Sequence, residues 1–174
     1  MKGKGGTFRI KLSSKAALAE KYGPLLRRLA PKVDDLVLPR DDFVGTRRHL
    51  EELVREINGT YQYTFYDGCV VLCRRIVEML LIEAFEHAGK GGAIKQNNNY
   101  MQLSDIIAAA QSGQHIKLAR NTGKDLEEIK KAGDAGAHSR TYITKQQDID
   151  HLKLTLRRVV SELMHLANIQ ARKV

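Results

Sequence analysis

The chain of 174 residues is 43% hydrophobic and 28% charged, with 3 prolines and no tryptophan. That composition excludes a disordered or collagen-like chain and allows one domain with a true core. The formal charge of +9 favours acidic partners, with nucleic acid ahead of an anionic membrane surface.

Residues 1–12 read as a flexible basic arm, with no acid before Glu20 and no apolar run followed by a small-residue cleavage site. From residue 13 to 174 the expectation is one helical domain. A first helix starts near Ser13 or Ser14, carries Leu18, Tyr22, Leu25, Leu26 and Leu29, and stops at Pro31. Leu38 to Asp42 reads as a linker ending in a cap. Phe43, Arg47, Leu50, Leu53, Val54 and Ile57 then recur at helical spacing, and Asn58-Gly59 is expected to close that helix. In Arg47-Arg48-His49 adjacent side chains point to different faces of the helix, so they do not form a cluster.

Tyr61, Tyr63, Phe65 and Tyr66 form an aromatic cluster without interleaved cations, which predicts packing rather than base stacking. The next helix, about Tyr66 to Glu86, is apolar nearly all round and is the expected core. Cys69 and Cys73 share one face of it. Two cysteines make no disulfide framework, and with no histidine nearby they predict core packing rather than a metal site. Arg74, Arg75 and Glu78 interrupt the apolar surface. Arg74 to Glu78 is an i,i+4 pair, and the arginines are candidates to anchor a site or interface.

His87 to Tyr100 reads as a surface loop without a phosphate-cradling motif. A short helix with Leu103, Ile106, Ile107 and Ala110 ends at Gly113, and another runs from about Thr122 to Ala132. Two acids, Glu127 and Glu128, argue against a DNA-reading helix there. Thr144 to Gln147 matches a capping box. The apolar positions Ile149, Leu152, Leu156, Val159, Leu163 and Leu166 then build a long last helix. Its stripe is wide enough for a bundle. Apolar runs of four or five residues are far short of the ~18 needed to span a bilayer. No membrane partner is therefore expected, and the two cysteines, too few for a disulfide framework, set reduced, cytoplasmic residence as the expectation.

The segment from Ile129 to Thr141 carries the chemical signal. It is expected to join the last two helices, with Gly133 and Gly136 releasing the backbone. Lys130, Lys131, Asp134, His138 and Arg140 fall within reach of one another. Histidine beside cations supplies acid–base chemistry at neutral pH while the cations hold a phosphate. The alternative is structural: His138 braces the helix junction and Asp134 satisfies loose amides.

Ala132-Gly-Asp-Ala-Gly-Ala-His138, followed by Ser139-Arg140 and a capped long helix, resembles the HEPN superfamily (higher eukaryote and prokaryote nucleotide-binding). The likeness is greatest to a prokaryotic branch of unknown function associated with defence and restriction proteins. Leu38-Pro39, Gly45 to Arg48, Ile57-Asn58 with Tyr61, and Leu72 to Glu78 extend the resemblance, which covers roughly residues 38–167. It implies an all-α bundle of four or five helices, frequently a homodimer. In active members an arginine, a polar residue and a histidine form a ribonuclease site that needs no metal or cofactor. This sequence departs from that pattern, because no arginine stands four to six residues before His138. Lys131 is the nearest cation, and a point charge lacks the fork suited to a phosphoryl group. Asp134 also puts negative charge where a phosphate would sit. The resemblance thus implies catalytic candidates His138, Lys131 and Asp134, and RNA contacts at Lys130, Lys131 and Arg140. The module it predicts binds RNA or a protein partner without robust catalysis. The alternatives are a metal-independent endoribonuclease and a dimerisation or adaptor domain.

Overall fold

The computed structural model describes residues 35–172. The basic arm and the helix expected around Leu18 to Leu29 lie outside the described residues. A 3-10 turn at Asp41–Phe43 leads into five α-helices: α1 (Arg48–Gln62), α2 (Tyr66–His87), α3 (Leu103–Gln111), α4 (Thr122–His138) and α5 (Gln146–Leu166). The expected all-helical bundle is what forms.

Helix α2 is the axis of the bundle, as its apolar surface requires: α1, α3, α4 and α5 all pack on it, α4 most extensively. Cys69, Cys73, Ile76, Val77, Leu80, Leu81 and Phe85 are all fully buried. The hydrogen bond with Cys69, together with burial, pushes the Cys73 thiol well above its ordinary range, so it stays protonated as a packing group. No described helix is long and apolar enough to cross a membrane.

Four local expectations are corrected. Helix α1 does not stop at Asn58-Gly59 but runs on to Gln62, and the left-handed residue that ends it is Thr64 (φ 67°). Asn58 is instead fully buried and spends its side chain on the preceding strap. Its Oδ1 accepts from the Val37 and Leu38 amides at 2.9 and 3.1 Å, and its Nδ2 donates to the Leu38 carbonyl at 2.8 Å.

Residues 87–100 are not a plain loop. A 3-10 turn at Gly91–Ile94 buries Ile94, and β1 (Lys95–Gln96) pairs antiparallel with β2 (Asn99–Tyr100). Asn97 and Asn98 take positive φ at its turn, the conformation in which asparagine is best tolerated. Glu86 anchors the hairpin to the end of α2 by accepting from Lys95 Nζ at 2.6 Å and Tyr100 Oη at 2.9 Å.

Helix α4 does not end near Ala132 but continues to His138 through Gly133 and Gly136. These glycines permit contact rather than release the backbone. A Cβ on Gly133 would stand 2.4 Å from Arg74 Cβ, and one on Gly136 would stand 2.5 Å from Val70 Cγ2. Finally, the cap of α5 shifts by one residue. Asp67 at the start of α2 accepts from the Thr144 amide at 2.9 Å, so Lys145 becomes the cap residue and Asp148 accepts from its amide at 2.7 Å. The Thr144 hydroxyl is left buried without a partner, and Gln147 plays no part.

Candidate functional site

Extending α4 to His138 sets the geometry of the site. Lys130, Asp134 and His138 fall four apart on one helical stripe, and the glycine contacts press that stripe against α2 at Arg74. Asp134 joins the two helices. Its Oδ2 accepts from Lys130 Nζ at 2.7 Å, and its Oδ1 stands 2.9 Å from Arg74 Nε. The arginine contact is an ion pair without an aligned hydrogen bond, since buried Nε has no well-directed acceptor. Arg74 is also 3.6 Å from Glu78, the pair expected from their spacing. Partial burial raises the affinity of Asp134 for its proton. Lys130, Arg74 and His138 outweigh that, and the carboxyl is held below its ordinary range.

The structure therefore brings together Arg74, Glu78, Lys130 and Asp134, with His138 one turn along. Lys131 lies exposed beside them. His138 is exposed at the last position of α4, and Arg140 is exposed in the connection to α5. Arg75 is exposed, away from this contact. A shallow depression of about 540 Å³ lies along α4, lined by Glu127, Glu128, Lys130, Lys131 and Asp134. Three acids against two lysines leave no net positive field there. Among the described residues no three of His, Cys, Asp or Glu converge as a metal-binding group.

The charge itself is distributed unevenly. Residues 1–34 hold 9 of the 29 Lys and Arg but only 2 of the 20 Asp and Glu, and so carry +7 of the total +9. Residues 35–172 hold 19 basic and 18 acidic groups, which nearly cancel. Attraction of a polyanion through the net field thus belongs to the N-terminal segment rather than to the bundle.

A second polar cluster was not foreseen from the sequence. Lys153, buried in α5, donates to Asp35 at 2.6 Å and to Tyr61 Oη at 2.8 Å, and stands 2.8 Å from Asp150. Tyr61 donates to Asp150 at 2.5 Å and accepts from Gln146 at 3.3 Å. Burial alone would lower the lysine's pKa. Hydrogen bonds from Asp150, Asp35 and Tyr61 outweigh it and raise the value well above the ordinary lysine range. Arg157 adds bonds to the Val37 and Leu36 carbonyls, so residues 35–38 are strapped along α5. The available signal was the position of Lys153 itself. It falls four after Ile149 and three before Leu156, inside the buried stripe, where a lysine needs partners.

Compared with models of known protein families, with curated proteins and with solved structures, the chain matches none.

Proposed function

We propose that the chain is a HEPN-like helical module that binds RNA without robust catalysis, in a defence or stress setting, as a cytoplasmic homodimer. The observation that carries the non-catalytic reading is the double engagement of Asp134. Arg74 and Lys130 are the cations nearest the His138 stripe, and the carboxylate already claims both. A phosphate approaching them meets a fixed negative charge, which offsets the stabilisation that either cation could give a transition state. RNA is favoured over a protein partner by the +7 charge of residues 1–34.

Binding of labelled single-stranded RNA across a salt series tests this. Affinity should fall steeply with salt, while the RNA stays intact. Replacing Lys2, Lys4, Arg9 and Lys11 by alanine should reduce the log–log slope by roughly 3, at about 0.7 per phosphate contact. Salt-independent affinity, or none, would overturn the RNA reading in favour of a protein-contact domain.

One observation favours the ribonuclease as a second reading. Arg74 reaches Asp134 from α2, and Asp134 precedes His138 by one helical turn, so an arginine is brought to the histidine's stripe although the local motif lacks one.

A further inference from the structure

The near-neutral total of residues 35–172 hides a division along the chain. Between Glu86 and Asp125 stand 5 Lys and Arg but 1 acid, Asp105, so residues 87–124 carry +4 while the other described residues carry −3. Lys95 of that set is engaged by Glu86. Lys117, Arg120 and Lys124 fall in the connection from α3 to α4 and its first helical turn, and all three are exposed.

The connection is held so that these cations face outward. Ile116 and Thr122 are buried, and Leu118 packs against the core. Glu162 of α5 fixes the backbone between them. Its Oε1 accepts from the Ala119 amide at 2.7 Å, and its Oε2 accepts from Thr122 Oγ1 at 2.5 Å. Asp125, the next acid along the chain, is paired with Arg158. Both carboxylates are thus committed elsewhere, and no ion pair among the described residues uses Lys117, Arg120 or Lys124.

Lys117 and Arg120 line an open cleft of about 390 Å³ between the end of α3 and the start of α4, and no acid among the described residues lines it. Gly123 lets the two helices approach there, since a Cβ on it would stand 2.8 Å from Gln111 Cγ. The depression further along α4 sets three acids against two lysines. A cleft with cations on its wall and no competing carboxylate favours a phosphate chain, and the Arg120 fork can hold two phosphate oxygens at once. Residues 113–124 contain no Phe, Tyr or Trp, and His115 packs on Phe85, so nothing there stacks or reads a base.

We propose that the α3–α4 connection is the surface of the bundle that grips the RNA backbone, with Lys117, Arg120 and Lys124 on phosphates and no base preference. It lies at the opposite end of α4 from His138, about 24 Å away at 1.5 Å per residue. The inference rests on the RNA reading and adds where the bundle makes contact.

Binding of labelled oligouridine and oligoadenosine to the full chain, across a salt series, tests it. Replacing Lys117, Arg120 and Lys124 together by serine should weaken both oligonucleotides equally, by about tenfold or more, and lower the log–log slope by roughly 2 at about 0.7 per phosphate. Serine at Arg40, Arg55 and Arg172, three exposed cations elsewhere on the bundle, removes the same charge and should change the slope little. Unchanged thermal midpoints would show that both variants fold. Equal losses in the two variants would overturn the proposal, because binding would then follow net charge alone. So would salt-sensitive binding by the wild type that the first variant keeps, which leaves the RNA reading standing. Binding of polyglutamate but of neither RNA would overturn both and assign the patch to an acidic protein.

Discussion

Two polar clusters join helices in this bundle, and they use similar groups differently. At Lys153 the cation is buried, with its side chain 9% exposed, and three oxygen partners close around it. At Asp134 the carboxylate is 37% exposed and its partners are ion pairs on the wet side of the α2–α4 contact. A buried lysine has little access to water and so fixes the position of every group it touches, here the strap, α1 and α5. An exposed carboxylate can trade its partners for water at little cost. The first cluster is scaffold. The second is a surface whose charge decides what can dock.

Substitutions at the two regions should separate accordingly. The largest effect is expected at the scaffold. Asn58→Ala strands the Val37 and Leu38 amides and the Leu38 carbonyl in the interior, at a cost of about 3 kcal/mol. Denaturant midpoints would show it. A loss below about 1 kcal/mol would mean that the strap is not held by this side chain.

A smaller effect is expected where α4 meets α2. Gly133→Ala gains helix propensity of up to about 1 kcal/mol but forces a methyl into Arg74 and the Val70 carbonyl, so net destabilisation of about 1–2 kcal/mol should result. Gly59→Ala is the matched control. That glycine is helical with nothing near its missing Cβ, and the change should stabilise the protein.

The pH response of the Asp35–Lys153 pair should be smaller still and lie on the acid side. Asp35 is held below its ordinary pKa by the Lys153 hydrogen bond, and its contribution is present above pH ~4 and lost as pH falls through the lowered value. Lys153 is shifted upward, so its contribution is complete below pH ~10 and is lost only above that. The contribution of this pair should therefore be level from about pH 5 to 10 and decline below about 4. Lys153→Met should flatten that acid decline. An unchanged acid limb in the variant would assign it to other carboxylates.

The helices were legible because apolar periodicity reports burial directly, as in α2 and α5. What was missed depends on contacts distant in sequence. Gly133 and Gly136 look like a hinge until α2 is placed against them, and then they are the reason the helices touch. Asn58-Gly59 looks like a helix end until the strap 20 residues upstream claims the asparagine. The Asn run at 97–98 resembled a loop because a two-residue strand gives no periodicity to read. In the site, the Arg74–Glu78 and Lys130–Asp134 pairs follow from helical spacing, but Arg74 against Asp134 needed the third dimension.

The most direct test of the central claim is metal-free incubation of labelled RNA with the wild type, Asp134→Asn and His138→Ala proteins. The account predicts that the wild type leaves the RNA intact. It also predicts that Asp134→Asn binds RNA more tightly, because Arg74 and Lys130 are released. Cleavage by the wild type that disappears in His138→Ala would contradict it and establish a ribonuclease in which Arg74 or Lys131 serves the histidine.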